Sequence, residues 1–209
     1  MGKSVEHILP PREPIAIIRL DNLEEALRIS QALLEGGITR LEFTLSNKRA
    51  PAAIEQVRRE FGDKLTVGAG TVLDVEMAQA SIQAGAQFIV TPALLPEVIA
   101  AARGSSIPIA CGAYTPTEIL TAWRAGADLV KVFPAGQLGP TYLKDVLAPL
   151  PDLKLVPTGG VNLQTCGAFL AAGAYTVAVG SQLVGKDLVS RKDWSALSDL
   201  ARQYIKACK

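Results

Sequence analysis

The sequence predicts an α/β fold, a single (β/α)8 TIM barrel with a short N-terminal helical segment, on three observations. A Gly-marked junction recurs four times. Glu-Gly-Gly-Ile-Thr-Arg-Leu-Glu-Phe begins at Glu35, Ala-Gly-Ala-Gln-Phe-Ile-Val at Ala84, Ala-Gly-Ala-Asp-Leu-Val-Lys-Val at Ala125 and Ala-Gly-Ala-Tyr-Thr-Val-Ala-Val at Ala172. Each follows an amphipathic stretch and starts a short apolar run, and each glycine suits a helix C-terminus, where left-handed backbone carries no Cβ penalty. A second set of apolar runs alternates with these copies. Helix-start signals occupy the gaps, and strands alternating with helices at such spacing need parallel crossovers.

In chain order, Ile15–Ile18 is the first strand. Asp21 and Glu24 then fit a capping box ahead of the stripe Leu23, Ala26, Leu27, Ser30 and Leu34. The first Gly junction gives the second strand. Leu65–Ala69 before Gly70 gives the third, and Asp74 suits an N-cap after it. The second junction is followed by Ile107–Cys111 before Gly112, then by Thr115-Pro116-Thr117-Glu118, with an N-cap, a proline at the first helical position and an acid at N3. The third junction is followed by Leu153–Val156 before Pro157, Asn162 is a further N-cap, and the fourth junction supplies the last strand. Eight βα units of roughly 25 residues fill the chain, near the lower size limit of such barrels. An open doubly wound sheet is the alternative, and the fourfold rhythm favours the barrel. The domain expected is 1–209, with 1–13 as an N-terminal segment packing on the barrel.

Bulk properties remove several function classes. The 209 residues are 49% hydrophobic, and 21 basic against 20 acidic side chains leave a formal charge of +1. That balance gives no electrostatic case for nucleic acid or an anionic membrane. No apolar stretch approaches ~20 residues, and Met1 to Pro14 lacks the apolar core of a secretory signal. Cys111, Cys166 and Cys208 have no metal-type spacing, so free thiols in a reducing cytosol are expected, with no metal and no cofactor. The sole histidine, His7, lies in the N-terminal segment, which weakens any His-based triad, base or metal site.

Alternate residues of a strand share a face. If Leu41, Phe43 and Leu45 pack on the helices, Glu42 and Thr44 point into the barrel. Lys131 shares parity with Leu129 and Phe133, leaving Val130 and Val132 for the helix side. Arg19 ends the first strand, Thr71 follows the third and Thr158 follows the seventh, so all lie where such barrels put their chemistry. Glu42 and Lys131 could simply be a buried structural ion pair. Buried pairs stabilise poorly against well-packed apolar residues, however, and several polar groups converging on one rim favour a site. Gly159-Gly160 after strand seven and Gly180-Ser181 after strand eight fit a phosphate cradle, since glycine lets backbone N–H groups approach an anion. Gly68-Ala69-Gly70-Thr71 lacks the third glycine of a dinucleotide fingerprint, and no Walker-type loop occurs. A lysine in water keeps its proton at neutral pH, while desolvation and neighbouring cations favour the free amine. A free amine can attack a ketone to form a Schiff base, with Glu42 as the candidate proton relay.

Leu41-Glu42-Phe43-Thr44-Leu45, Val67-Gly68-Ala69-Gly70-Thr71-Val72, Val90-Thr91-Pro92, Lys131-Val132-Phe133-Pro134 and Pro157-Thr158-Gly159-Gly160-Val161 occur in family order and spacing. Together they resemble the 2-keto-3-deoxy-6-phosphogluconate (KDPG) / 4-hydroxy-2-oxoglutarate (KHG) aldolase family, from about Pro14 to the last helix. The resemblance implies a class I aldolase, usually a homotrimer, that cleaves KDPG to pyruvate and glyceraldehyde 3-phosphate, while the thiols and the lack of a signal segment point to a cytoplasmic location. It implies Lys131 as the Schiff-base residue and Glu42 as the general acid/base. Thr71 and Thr158 would surround the pyruvyl group, Gly159, Gly160, Gly180 and Ser181 would bind phosphate, and Phe133 and Pro92 would form pocket walls. The partner is thus a phosphorylated keto acid.

Many relatives carry an arginine where this chain has Ser46. Arg19 resembles the first-strand arginine of a second subgroup and is expected to hold the substrate carboxylate. Galactonate-pathway aldolases share that arginine, whereas Thr158 resembles the gluconate branch, which is preferred here. A sugar-phosphate epimerase or isomerase on the same barrel would use Lys131 only electrostatically. A non-catalytic sugar-phosphate-binding barrel would keep the glycine cradle without needing the Glu42–Lys131 pair.

Overall fold

A computed structural model describes residues 5–209 of the chain, so the first four residues of the 1–13 segment lie outside the described residues. The elements run α1 (Val5–Ile8), β1 (Ile15–Ile18), α2 (Ala26–Glu35), β2 (Arg40–Thr44), α3 (Ala50–Phe61), β3 (Thr66–Gly70), α4 (Val75–Gln83) and β4 (Ile89–Val90). They continue with α5 (Pro96–Gly104), β5 (Ile109–Ala113), α6 (Pro116–Arg124), β6 (Leu129–Val132), α7 (Gly139–Leu147), β7 (Leu155–Pro157), α8 (Cys166–Ala171), β8 (Ala178–Val179), α9 (Lys186–Ser190) and α10 (Trp194–Ala207). The eight strands are all parallel and pair with their sequence neighbours, and β8 pairs back onto β1. This is the (β/α)8 ring expected from the fourfold junction. Between β7 and β8 the ring is joined by a single bridge, Thr158 to Ala178, rather than by a laddered pair.

The four junction glycines behave alike. Gly37, Gly85, Gly126 and Gly173 have φ of 91°, 92°, 96° and 100°. After each, the next N–H reaches back across the helix end: Ile38 to Leu33 O, Ala86 to Ser81 O, Ala127 to Ala122 O and Ala174 to Phe169 O. That bond and the left-handed residue together end a helix and aim the chain into a strand. A fifth copy closes α5, where Ser106 has φ 56° and Ile107 N–H bonds Ala102 O. No glycine marks it, which is why it did not stand out in the sequence.

Helix starts are more varied. Thr115 and Glu118 form the reciprocal capping box, and Asp74 accepts from Met77 N–H at 2.7 Å. The capping box expected at Asp21 and Glu24 is not formed. α2 begins at Ala26, its N-cap Glu25 makes no side-chain cap, and Asn22 Oδ1 instead accepts from Glu24 N–H at 2.8 Å. Asp21 is turned away to Lys186. Asn162 accepts from Gln164 and Thr165 N–H at 3.0 Å, so it caps the turn leading into α8 rather than α8 itself.

The buried apolar residues divide into two clusters separated by the strands. The outer one lies between strands and helices and holds Leu41, Phe43, Val130 and Val132, with Leu45 against it. The inner one fills the barrel and holds Ile15, Ile17, Phe88, Val90, Ala110, Leu129, Val156 and Ala178. The period-two expectation for the second and sixth strands therefore holds, and it puts Glu42 and Lys131 on the lumen side. Ile8 and Leu9 join the inner cluster and plug its lower end. There Arg40 donates from Nε to Ile8 O at 2.8 Å, Tyr175 donates from its hydroxyl to Leu9 O at 2.9 Å, and Lys154 pairs with Glu6. His7 lies in α1 at this floor and is exposed. The three cysteines are free thiols, all buried.

Candidate active site

The lumen is packed with apolar side chains up to the level of Leu129 and Val90, and above them it opens. At the carboxyl ends of the strands a cavity of about 150 Å³ is lined by Arg19, Glu42, Thr71, Pro92, Lys131, Phe133, Thr158, Gly159, Gly160, Gly180 and Ser181. Every residue singled out from the sequence thus borders one space. Thr44, read as inward, borders it too. Ile17, Val161 and Gln182 also line it and were not singled out. Ile17 shares strand parity with Arg19, Val161 ends the Thr-Gly-Gly-Val stretch and Gln182 follows Ser181, so their signal was adjacency to better-marked neighbours.

Glu42 is 1% exposed and Lys131 6% exposed. Two buried charges would ordinarily close on each other. Here no ion pair within 4.0 Å joins them, and among the described residues neither side chain has a hydrogen-bond partner. Neither group is a sealed, unsatisfied atom: among the described residues that condition is met only by Ser30 Oγ. Both polar ends therefore reach the cavity and leave room between them. That geometry argues against a structural ion pair.

A bare position on β3 makes room for the carboxyl. Glu42 pairs in register with Gly68, and Thr44 with Gly70. A Cβ on Gly70 would stand 1.8 Å from Glu42 Oε1, so the carboxyl occupies the volume of the missing side chain. Lys131 pairs in register with Gly112, which is equally bare. Its Nζ stands 4.9 Å from the Phe133 ring centroid, and the face of an aromatic ring favours a cation there. Burial pushes the Glu42 carboxyl above the usual carboxylate range, while the charges of Lys131 and then Arg19 pull it part of the way back. The net direction is upward, toward the range in which a carboxyl can both give and take a proton.

The rim residues have their own constraints. Thr71 has φ 57°, a sparsely populated region for a β-branched residue, and such strain concentrates at functional sites. Gly159 and Gly160 are both left-handed, with φ of 79° and 80°. Gly136 N–H bonds Gly159 O at 2.8 Å, which ties this turn to the loop after β6. Arg19 is exposed at the mouth and has no ion-pair or hydrogen-bond partner among the described residues. Its loop is held by Asn47, which donates from Nδ2 to Leu20 O and Asp21 O, both at 3.0 Å. Ser46 shares a 2.9 Å hydrogen bond with Thr44, so it folds back on its own strand end. Two cations thus line the cavity among the described residues, Lys131 buried in the lumen and Arg19 exposed at the mouth.

Comparison with known proteins identifies the family. The family model for KDPG and KHG aldolase matches residues 5–200. The chain belongs to the KDPG and KHG aldolase family. It is therefore a lyase. A 2-dehydro-3-deoxy-phosphogluconate aldolase of Treponema pallidum is 38% identical over 91% of each chain. A 2-dehydro-3-deoxy-6-phosphogalactonate aldolase of Escherichia coli is 36% identical over 81% of this chain and 83% of its own. The solved KDPG aldolase of Legionella pneumophila, in which pyruvate was captured at low pH as a covalent carbinolamine, superposes with a TM-score of 0.86 at 30% identity over 94% of this chain and 95% of that one. Family members similar to this aldolase thus include both epimeric branches.

Proposed function

We propose that the chain cleaves KDPG to pyruvate and glyceraldehyde 3-phosphate through a Schiff base on Lys131. The observation that carries this reading is the open pair: a buried amine and a buried carboxyl on one lumen, neither with a hydrogen-bond or ion-pair partner among the described residues. The uncharged amine of Lys131 adds to the C2 ketone, giving a carbinolamine that loses water to an iminium. Glu42, as the carboxylate, takes the proton of the C4 hydroxyl as the C3–C4 bond breaks. The bond's electron pair moves into the iminium to form an enamine, and the aldehyde leaves. Glu42 returns the proton to C3, directly or through a water, and hydrolysis of the new iminium frees pyruvate and Lys131. Arg19 holds the substrate carboxylate, and Thr71 and Thr158 border the pyruvyl group. Pro92 and Phe133 form the walls, and Gly159, Gly160, Gly180 and Ser181 take the phosphate. None of these steps calls for a metal or a cofactor.

Thr158 and the T. pallidum relative favour the gluconate epimer, with cleavage of KHG to pyruvate and glyoxylate as a further activity. The galactonate reading keeps a specific support in Arg19 and the E. coli relative. The enzyme is read as cytoplasmic, and no helix among the described residues is long and apolar enough to cross a membrane. It is read as a homotrimer on family likeness, and as one barrel domain, 1–209, in which residues 5–13 pack on the floor.

Incubation with pyruvate and borohydride is the deciding experiment. A reduced pyruvyl adduct on Lys131 is expected by peptide mapping. An unmodified Lys131 in an enzyme that still turns over would remove the mechanism and favour an epimerase or isomerase. Stabilisation by substrate without turnover would favour a non-catalytic binding barrel. Kinetics on both C4 epimers settle the branch, and a strong galactonate preference would reverse the assignment made here.

A further inference from the structure

We infer that Thr91, which does not line the cavity, is a positioning residue for the Schiff-base step, holding Pro92 in place beside Lys131. The inference rests on the reading of Lys131 as nucleophile.

The argument starts from strand parity. Phe88 and Val90 face the lumen and Ile89 faces the helices. Thr91 continues the outer face and is fully buried there, while Pro92 continues the inner face and borders the cavity. The Thr91 hydroxyl uses both of its hydrogen-bonding capacities. Oγ1 donates to Ala93 O at 2.7 Å and accepts from Gly112 N–H at 2.9 Å. Cys111 Sγ reaches the same Ala93 carbonyl at 3.6 Å. Residues 91 and 93, on either side of Pro92, are thereby fastened to β5.

The other side of the clamp is steric. Gly112 is opposite Lys131 in the β5–β6 register. A Cβ on Gly112 would lie 2.3 Å from the Pro92 carbonyl carbon and 2.4 Å from Ala93 N. The turn thus occupies the space in which a lumen side chain from residue 112 would stand, next to the strand position of Lys131. Proline suits this place because its ring is rigid and it has no N–H to satisfy. Addition of an amine to a carbonyl needs the reacting atoms aligned at about 3–3.5 Å, and a misplacement near 1 Å costs on the order of 10²-fold. The hydroxyl touches neither substrate nor Lys131, so its effect falls on alignment of the covalent step more than on capture of the phosphate end.

The test uses the full chain, with KDPG turnover and the rate of borohydride trapping of pyruvate measured for wild type, Thr91→Ser and Thr91→Val. Thr91→Ser keeps the hydroxyl and should retain trapping rate and kcat within about two-fold, whereas Thr91→Val should lose about 10- to 100-fold in both with KM little changed. Wild-type rates for Thr91→Val, an equal loss in Thr91→Ser, or a rise in KM with kcat intact would overturn the inference. Should Thr91→Val fail to fold, Pro92→Ala decides: a fall in trapping rate with KM kept supports the positioning role, and unchanged trapping overturns it. Adduct formation on Lys131 in the wild type tests the aldolase reading, and the ratio of variants to wild type tests Thr91, so the two can fail separately.

Discussion

At the floor of the barrel, Arg40 donates to the Ile8 carbonyl and faces Glu13 at 3.4 Å, and Lys154 pairs with Glu6 while resting 5.4 Å from the Tyr175 ring centroid. At the rim, Glu42 and Lys131 are more deeply buried than any of these charged side chains, yet neither has a hydrogen-bond or ion-pair partner among the described residues. The same side-chain chemistry serves two ends. Where charge is matched it fastens the N-terminal segment, and where it is left open toward a cavity it is available to a substrate. In barrels of this kind the lower face is given to stability and the upper face to reaction. What separates the two uses here is whether the polar end is satisfied before a ligand arrives.

Four substitutions would break or sharpen that contrast. Lys131→Met has the largest expected effect: aldol cleavage and pyruvate trapping fall to background, while thermal stability holds or rises, because an unpaired buried amine is replaced by an apolar chain of similar length. A large drop in melting temperature would mean that Lys131 is structural after all. Glu42→Gln should lower kcat by about 10²- to 10⁴-fold, the usual contribution of a general acid/base. It should also change the pH dependence of stability. Burial raises the Glu42 carboxyl above 4.5, so from there up to its folded value the native chain binds more protons than the unfolded one, and stability falls as pH rises. The glutamine variant lacks that decline, so its stability relative to wild type should climb through a window starting near pH 4.5. Denaturant titrations of both proteins across that range would check it, and a constant difference would contradict the raised carboxyl.

Floor substitutions should show the reverse pattern. Arg40→Ala removes the bond to Ile8 O and leaves that carbonyl short of a partner, which should cost roughly 1–3 kcal/mol of stability with kcat unchanged. Lys154→Met, which loses a mostly exposed ion pair, should cost no more than about 1 kcal/mol. Loss of activity in either folded variant, measured beside its melting curve, would blur the division between the two ends.

Much of this was legible as period-two patterning. The alternation of Leu129, Lys131 and Phe133 against Val130 and Val132 told which way the lysine faced, and Leu41, Phe43 and Leu45 did the same for Glu42. The four glycine junctions and the four apolar runs alternating with them indicate eight strands. Features that depend on which residues end up across from one another were not legible. That Gly70 must be bare to admit the Glu42 carboxyl follows from that side chain leaning diagonally onto β3, and that Gly112 must be bare to admit the 91–93 turn follows from a loop packing over β5. At the start of α2 the Asp21–Glu24 spacing misleads: Asn22 takes the Glu24 N–H, Asp21 pairs with Lys186, and the helix begins beyond both at Ala26. Ser106 hid the fifth helix exit by adopting a backbone that glycine usually advertises.

The lone bridge between β7 and β8 has a mechanical consequence. A joint made by one bridge at Thr158 is more compliant than the four-pair β5–β6 ladder, so amides near it should exchange with solvent sooner than those of β5 or β6. Thr158, Gly159 and Gly180 flank the same point, and a dianion gripping both loops there would act as an added stitch. Filling the cavity would then tighten the hoop at this joint, and emptying it would let the joint relax as the products depart.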